Sequence, residues 1–211
     1  MAKKRIHRVG ENTMPSISDD LKTFLDTHSI QYEIDSDLSK RTWIHRGGIC
    51  KFFIEPISIT ELESLAHFLY KNDREFDVIG YSSNLWFCDN YSPEIILSTR
   101  RCHEIQFEGQ YVVADAGVSM NKLTTFCVDN GIGGFEGFID LPGTVGGAVC
   151  NNSGCYGSVT DEVLEKIEII SAEGKKCIEA SALGFSHRNS LLKSKTINAV
   201  VLRAFFSTTW F

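Results

Sequence analysis

Apolar positions recur along the chain at two spacings, and the change from one to the other marks the elements. Leu21, Phe24, Leu25 and His28 fall at helical spacing, which predicts a helix with Ser18 as N-cap and a structural His28. A short β segment follows at 51–54 and stops at Pro56. Ser58 and Glu61 have capping-box spacing, and Leu62, Leu65, Ala66 and Leu69 then make one apolar helix face. Residues 76–79 read as the next strand. Beyond it β patterns dominate, at 94–97 and at 111–114, with a turn at Gly109 before the second. Ser119 caps a predicted helix carrying Met120, Leu123 and Cys127, which ends at Asn130-Gly131. Residues 166–170 and 175–178 flank Glu173-Gly174 as a hairpin, and a last strand spans 198–206. A strand–helix–strand unit followed by a largely antiparallel part predicts an α+β fold.

Composition narrows the class. With 211 residues and 43% hydrophobic content, the chain can bury one core or those of two small subdomains. A formal net charge of −6 argues against a general nucleic-acid partner or an anionic membrane surface. No apolar run approaches the roughly 18 residues of a membrane span. Residues 1–15 read as a polar tail, and the basic start Met1-Ala2-Lys3-Lys4-Arg5 is followed by no hydrophobic stretch, so a cytoplasmic location is expected. The seven cysteines are scattered with no CxxC pair, which points to reduced thiols and to no metal site.

Three segments could carry chemistry. Gly80-Tyr81-Ser82-Ser83-Asn84 follows an apolar strand directly, and its small residues would expose backbone N–H groups to a diphosphate. An ordinary turn is the alternative. In the stretch from Leu141 to Gly157, Pro142 fixes the chain entry, while Gly143, Gly146 and Gly147 admit close contact with a flat or anionic ligand. Thr144 and the Asn152 amide add polar groups there. So glycine-rich a backbone reads as a loop with too few side chains to build core; a turn cluster without ligand is the alternative. In Phe185-Ser186-His187-Arg188-Asn189-Ser190, the arginine could stabilise developing negative charge, or be a surface charge.

In this order and spacing, the three segments resemble the UDP-N-acetylenolpyruvoylglucosamine reductase (MurB) family. The specific part is Pro142-Gly143-Thr144-Val145-Gly146-Gly147-Ala148 through Asn152, Gly154, Tyr156 and Gly157. Ile79-Gly80, Ser83-Asn84-Leu85 and Phe185, Arg188 and Ser190 support it. The resemblance begins near Leu38 and covers about 170 of the 211 residues. It implies a two-subdomain FAD-binding fold of the PCMH, or vanillyl-alcohol-oxidase-like, type, with an N-terminal extension at 1–37 and subdomains at 38–79 and 80–211.

The resemblance also implies a non-covalent FAD, reduced by NADPH, that passes hydride to an enolpyruvyl nucleotide sugar in peptidoglycan precursor synthesis. Gly80, Tyr81, Ser82, Ser83, Asn84 and Leu85 would then hold the diphosphate. Pro142, Gly143, Thr144, Gly146, Gly147, Ala148, Asn152 and Gly154 would line the flavin and its tail. Arg188 would match the family's active-site arginine. Ser82 stands where the family has a glycine, and His187 where it has a tyrosine. The family also carries a further substrate domain with a serine acid and a glutamate. With 23 residues after Arg188, a further segment, a partner chain or a second copy is expected to complete the site. A flavin-binding module without activity, or an enzyme acting on another sugar nucleotide, remain the alternatives.

Overall fold

The computed structural model describes residues 17–208, so the polar tail and the basic start lie outside the described residues. Helix α1 (Ile17–Thr27) leads into β1 (Tyr32–Asp37), β2 (Ile49–Ile54), α2 (Ile59–Lys71), β3 (Asp77–Ile79) and β4 (Ile95–Ser98). Next come β5 (Ile105–Glu108), β6 (Tyr111–Asp115), α3 (Met120–Asp129), α4 (Val145–Asn151), β7 (Gly154–Cys155), β8 (Ser158–Val159) and α5 (Thr160–Val163). Strands β9 (Leu164–Ser171), β10 (Gly174–Glu179) and β11 (Ala199–Ser207) close the fold.

Two sheets organise these elements. The first has the order β1-β2-β4-β3, with β4 parallel to both β2 and β3. The second has the order β10-β9-β11-β6-β5 and is antiparallel throughout, as the sequence pattern predicts. The first sheet takes strands from beyond both ends of the 38–79 segment: β1 on one side and β4 on the other.

Helix α2 is the joint between the sheets. Ser58 caps it by accepting the Glu61 N–H at 3.2 Å, and the Glu61 carboxylate accepts from Ile57 N–H, one residue ahead of the cap. Its buried face of Leu62, Leu65, Ala66 and Leu69 joins one core with Phe52, Ile54, Ile95 and Leu97 of the first sheet and Ile170, Val200 and Leu202 of the second. Leu21 and Leu25 of α1 enter the same core, whereas Ser18 lies inside that helix rather than capping it. His28 is structural, with Nδ1 at 2.8 Å from Phe24 O.

The opposite face of the second sheet packs on α3 and α4. Val112 and Ala114 of β6, Ile167 and Ile169 of β9, and Ala204 and Phe206 of β11 meet Met120, Leu123, Cys127, Val145, Ala148 and Val149 there. Strand β11 serves both cores, Val201 facing one and Val200 and Leu202 the other, and its register to β9 shifts between Val201 and Arg203. A bulge reverses the side-chain alternation, so Ala204 and Phe206 face away from the side that Val200 and Leu202 face.

Besides Ser18, a larger expectation is overturned. The glycine-rich stretch is no coreless loop: its middle is helix α4, with Val145, Ala148 and Val149 buried.

Candidate flavin site

Helix α4 begins at Thr144, whose hydroxyl accepts the Gly147 N–H at 3.3 Å. The other N–H groups of its first turn are also taken. Val145 N–H donates to Val118 O at 2.8 Å, Gly146 N–H to Ala116 O at 2.8 Å and Ala148 N–H to Thr144 O at 2.8 Å. A helix N-terminus attracts anions through free donors, and this one has spent them on its own fold.

The loop at 80–85 is the reverse case. Among the described residues, Leu85 N–H donates to Ser82 O, while the N–H groups of Tyr81, Ser82, Ser83 and Asn84 donate to no protein acceptor. Ser82 has φ of 58° and a buried hydroxyl with no hydrogen-bond partner. Successive unpaired N–H groups around a left-handed residue form an anion-binding concavity.

The loop and α4 are tied side to side. Ser83 Oγ donates to Pro142 O at 3.1 Å, and Asn84 Nδ2 reaches Asn151 Oδ1 at 3.5 Å. Gly80 lies so close to Thr144 that a Cβ there would sit 2.2 Å from its Oγ1. At Gly146 a Cβ would meet that of Ala116 at 3.0 Å. These two glycines answer to neighbouring protein. Gly143, with φ of 128°, is held in a conformation that disfavours side chains and meets only Ser83 Oγ nearby.

Between the two segments lies a cavity of about 430 Å³. It brings together Gly80, Tyr81, Ser82, Ser83, Asn84 and Leu85 with Pro142, Gly143, Thr144, Gly146, Gly147 and Ala148. Thr99, Ala116, Cys150, Asn151, Lys193 and Val201 also line it and carry no signal in sequence. Burial pushes the Cys150 thiol up to about 11, so it is a neutral wall group near neutral pH. A second, wider hollow of about 530 Å³ carries Asp161, Glu165 and Glu179, three carboxylates that would repel a dinucleotide. No cluster of three metal-ligating side chains occurs among the described residues.

Asn152, Gly154 and Arg188 stand beside this cavity rather than in its lining. Asn152, with φ of 42°, caps the end of α4, donates its amide to Ser186 O at 3.2 Å and accepts Asp161 N–H at 3.1 Å. Gly154 belongs to the β7–β8 hairpin, where a Cβ would lie 2.5 Å from Ser158 O. Arg188 projects from a tight turn in which Ser186 and Asn189 pair with each other. Its φ is 55°, and its guanidinium donates to Gly154 O at 3.3 Å.

A family profile described as FAD binding domain matches residues 50–178. The chain belongs to this FAD-binding family. The residues present fit the cofactor: unpaired donors at 81–84, the orphan Ser82 hydroxyl, and a lining without a carboxylate all suit a dinucleotide.

Relatives of this FAD-binding chain include the UDP-N-acetylenolpyruvoylglucosamine reductase of Fervidobacterium nodosum. The two are 32% identical over 175 residues, covering 82% of this chain and 56% of the relative. The reductase of Carboxydothermus hydrogenoformans is 34% identical over 160 residues, covering 75% and 53%. The chain thus spans about half the length of these curated relatives. Among solved structures, the reductase of Thermus caldophilus matches with a TM-score of 0.67 at 22% identity, over 84% of this chain and 61% of that one. An alkyldihydroxyacetonephosphate synthase matches with a TM-score of 0.63 at 16% identity, over 96% of this chain and 41% of that one. These likenesses establish the PCMH-type FAD-binding fold read from the sequence. Among the described residues, no helix is long and apolar enough to cross a membrane.

Proposed function

We propose that the chain is the FAD-binding part of an oxidoreductase like UDP-N-acetylenolpyruvoylglucosamine reductase. It would take hydride from NADPH and pass it to an enolpyruvyl nucleotide sugar in peptidoglycan precursor synthesis. The observation that carries this reading is the cavity between the 80–85 loop and α4, in a chain whose curated relatives bear that reductase's name.

In this reading the N–H groups of 81–84 and the Ser82 hydroxyl bind the diphosphate, in a place where α4 has no donor left to offer. When bound, the flavin supplies the hydride transfer; the protein supplies position and electrostatics. Arg188 orients its guanidinium from the strained 186–189 turn and holds negative charge that develops on the substrate. Asn152 positions that turn through its bond to Ser186 O. A further segment, a partner chain or a second copy completes the substrate pocket.

The test begins with the purified chain, incubated with FAD and desalted. A retained flavin spectrum is expected, and a protein that emerges colourless overturns the reading. Anaerobic NADPH should then bleach the visible band; a flavin that stays oxidised makes the chain a binding module instead. Arg188→Ala should keep FAD affinity and slow reoxidation by substrate about 10²–10³-fold, as loss of one oxyanion-stabilising donor does.

A further inference from the structure

The cavity lining holds a single charged side chain. Lys193 lines it, and no aspartate or glutamate does, in a chain of formal net charge −6. That lysine is held in place. Its Nζ donates to Arg188 O at 2.7 Å, and its backbone N–H donates to Ser190 Oγ at 3.2 Å. Ser190 is buried and donates in turn to Cys150 O at 2.7 Å, at the last turn of α4. Among the described residues the Lys193 ammonium has that carbonyl as partner and no carboxylate. The thiol of Cys150 registers the charge, since the ammonium pulls it down while burial pushes it up.

We infer that Lys193 is the residue that sets the reduction potential of the bound flavin. The inference rests on the proposed function: with the diphosphate at 81–84 and Arg188 holding charge on the substrate, the reacting ring falls on the Arg188 side of the cavity. A reduced nicotinamide delivers a hydride, that is, two electrons and one proton. The nicotinamide is oxidised, and the reduced flavin is left with one negative charge on its ring. An ammonium at the ring is neutral toward the oxidised form and attracts the reduced one. A charge near the ring is one of the means by which a protein tunes a flavin. The side chain is exposed at the cavity wall, with no aspartate or glutamate in the lining to oppose it; a ring bound there would exclude water from it, and a unit charge then acts more strongly than in bulk water. The Arg188 carbonyl accepts from the same ammonium, so one turn carries the substrate's charge-stabilising group and anchors the flavin's.

The experiment compares the FAD-loaded chain with Lys193→Gln, which keeps a donor for Arg188 O but no charge, and with Lys193→Arg, which keeps both. Midpoint potentials come from dye-equilibrated reduction, and oxidised-FAD affinity comes from fluorescence titration. Lys193→Gln should weaken binding of reduced relative to oxidised FAD by roughly tenfold, a fall of about 30 mV for a two-electron couple. Its affinity for oxidised FAD should stay within about threefold of the parent, and Lys193→Arg should hold the parent potential. An unchanged potential with weaker oxidised-FAD binding overturns the inference and makes Lys193 a counter-charge for the diphosphate. No change in either quantity overturns it too, leaving a surface lysine. If the parent chain takes up no FAD, the flavin reading itself falls, which the first titration reveals before any variant is made.

Discussion

Ser82 combines two features that ordinarily cost stability. Its backbone sits in the left-handed region, and its buried hydroxyl has no partner. The second alone costs about 1–3 kcal/mol. Such costs persist where a site needs them. Ser82→Ala should therefore leave the melting temperature of the FAD-free chain unchanged or slightly higher. It should weaken FAD by about tenfold, the size of one hydrogen bond to a charged group. Calorimetry and fluorescence titration read the two effects separately, and a lower melting temperature with intact FAD affinity would mean that the hydroxyl serves the fold. At this scale the sequence was partly legible. Small polar residues after an apolar strand announce the 80–85 loop, and twelve of its and α4's expected contacts line one cavity. The reason for a given glycine was not legible: Gly80 and Gly146 make room for Thr144 and Ala116, contacts that exist only once the chain is folded. Lys193 was silent because it is exposed like most lysines, and only its place in the cavity wall sets it apart.

Among the elements, those that pack an apolar face were legible and those at edges were not. Helices α2 and α3 announce themselves by caps and periodic apolar residues. Strand β1 escaped notice because it is an edge strand, with Glu33, Asp35 and Asp37 in it and Asp35 skipped in its pairing with β2. Strand β5 is likewise a short edge, with Gln106 and Glu108 outward. Helix α4 was hidden by its own glycines, whose low helix propensity is overridden by the Thr144 cap and by burial against the second sheet. Strand β6 offers a test of pH dependence. It ends at Asp115, which accepts the Glu104 N–H at 3.0 Å and whose carboxyl burial raises above its ordinary 3.8. The folded chain therefore binds this proton more tightly than the unfolded chain does. The group favours folding most below 3.8, and that contribution declines as pH climbs from there through the raised value. Asp115→Asn keeps an acceptor and removes the titration. Its melting temperature relative to the parent should rise between about pH 3 and about pH 7, and a constant difference would show that Asp115 does not titrate as described.

Across the whole molecule, two sheets meet over α2 while the cavity draws its walls from both sides of that joint. Ile79 ends β3 of the first sheet and Gly80 follows it, and Ala199, Val200 and Val201 come from the second. The strand order could not be read from the chain, because β4 lies between β2 and β3 and pairs with both only after α2 has crossed. A ligand touching both sheets should stabilise the fold as one unit. At about 100 times its dissociation constant, FAD should add about 2.7 kcal/mol, or roughly 5–10 °C in melting temperature for a chain of this size. A single calorimetric transition shifted by that amount is the expected result; two transitions, only one of which moves, would show that the halves unfold separately.

The contact between Gly80 and Thr144 has a consequence for how such sequences can drift. A methyl group at 80 would collide with Oγ1, Cγ2 and Cβ of residue 144 at 2.2, 2.8 and 3.0 Å, so serine at 144 gives too little relief because its hydroxyl remains. Only a residue without that side chain would make room, and it would also uncap α4. Gly80 has no acceptable single step away from glycine, and at 144 only another capping side chain such as serine serves. Across relatives the two should therefore be inherited as a couple, glycine with a capping side chain; a library that randomises 80 alone should recover glycine, and one that randomises 144 alone should recover threonine or another N-cap residue.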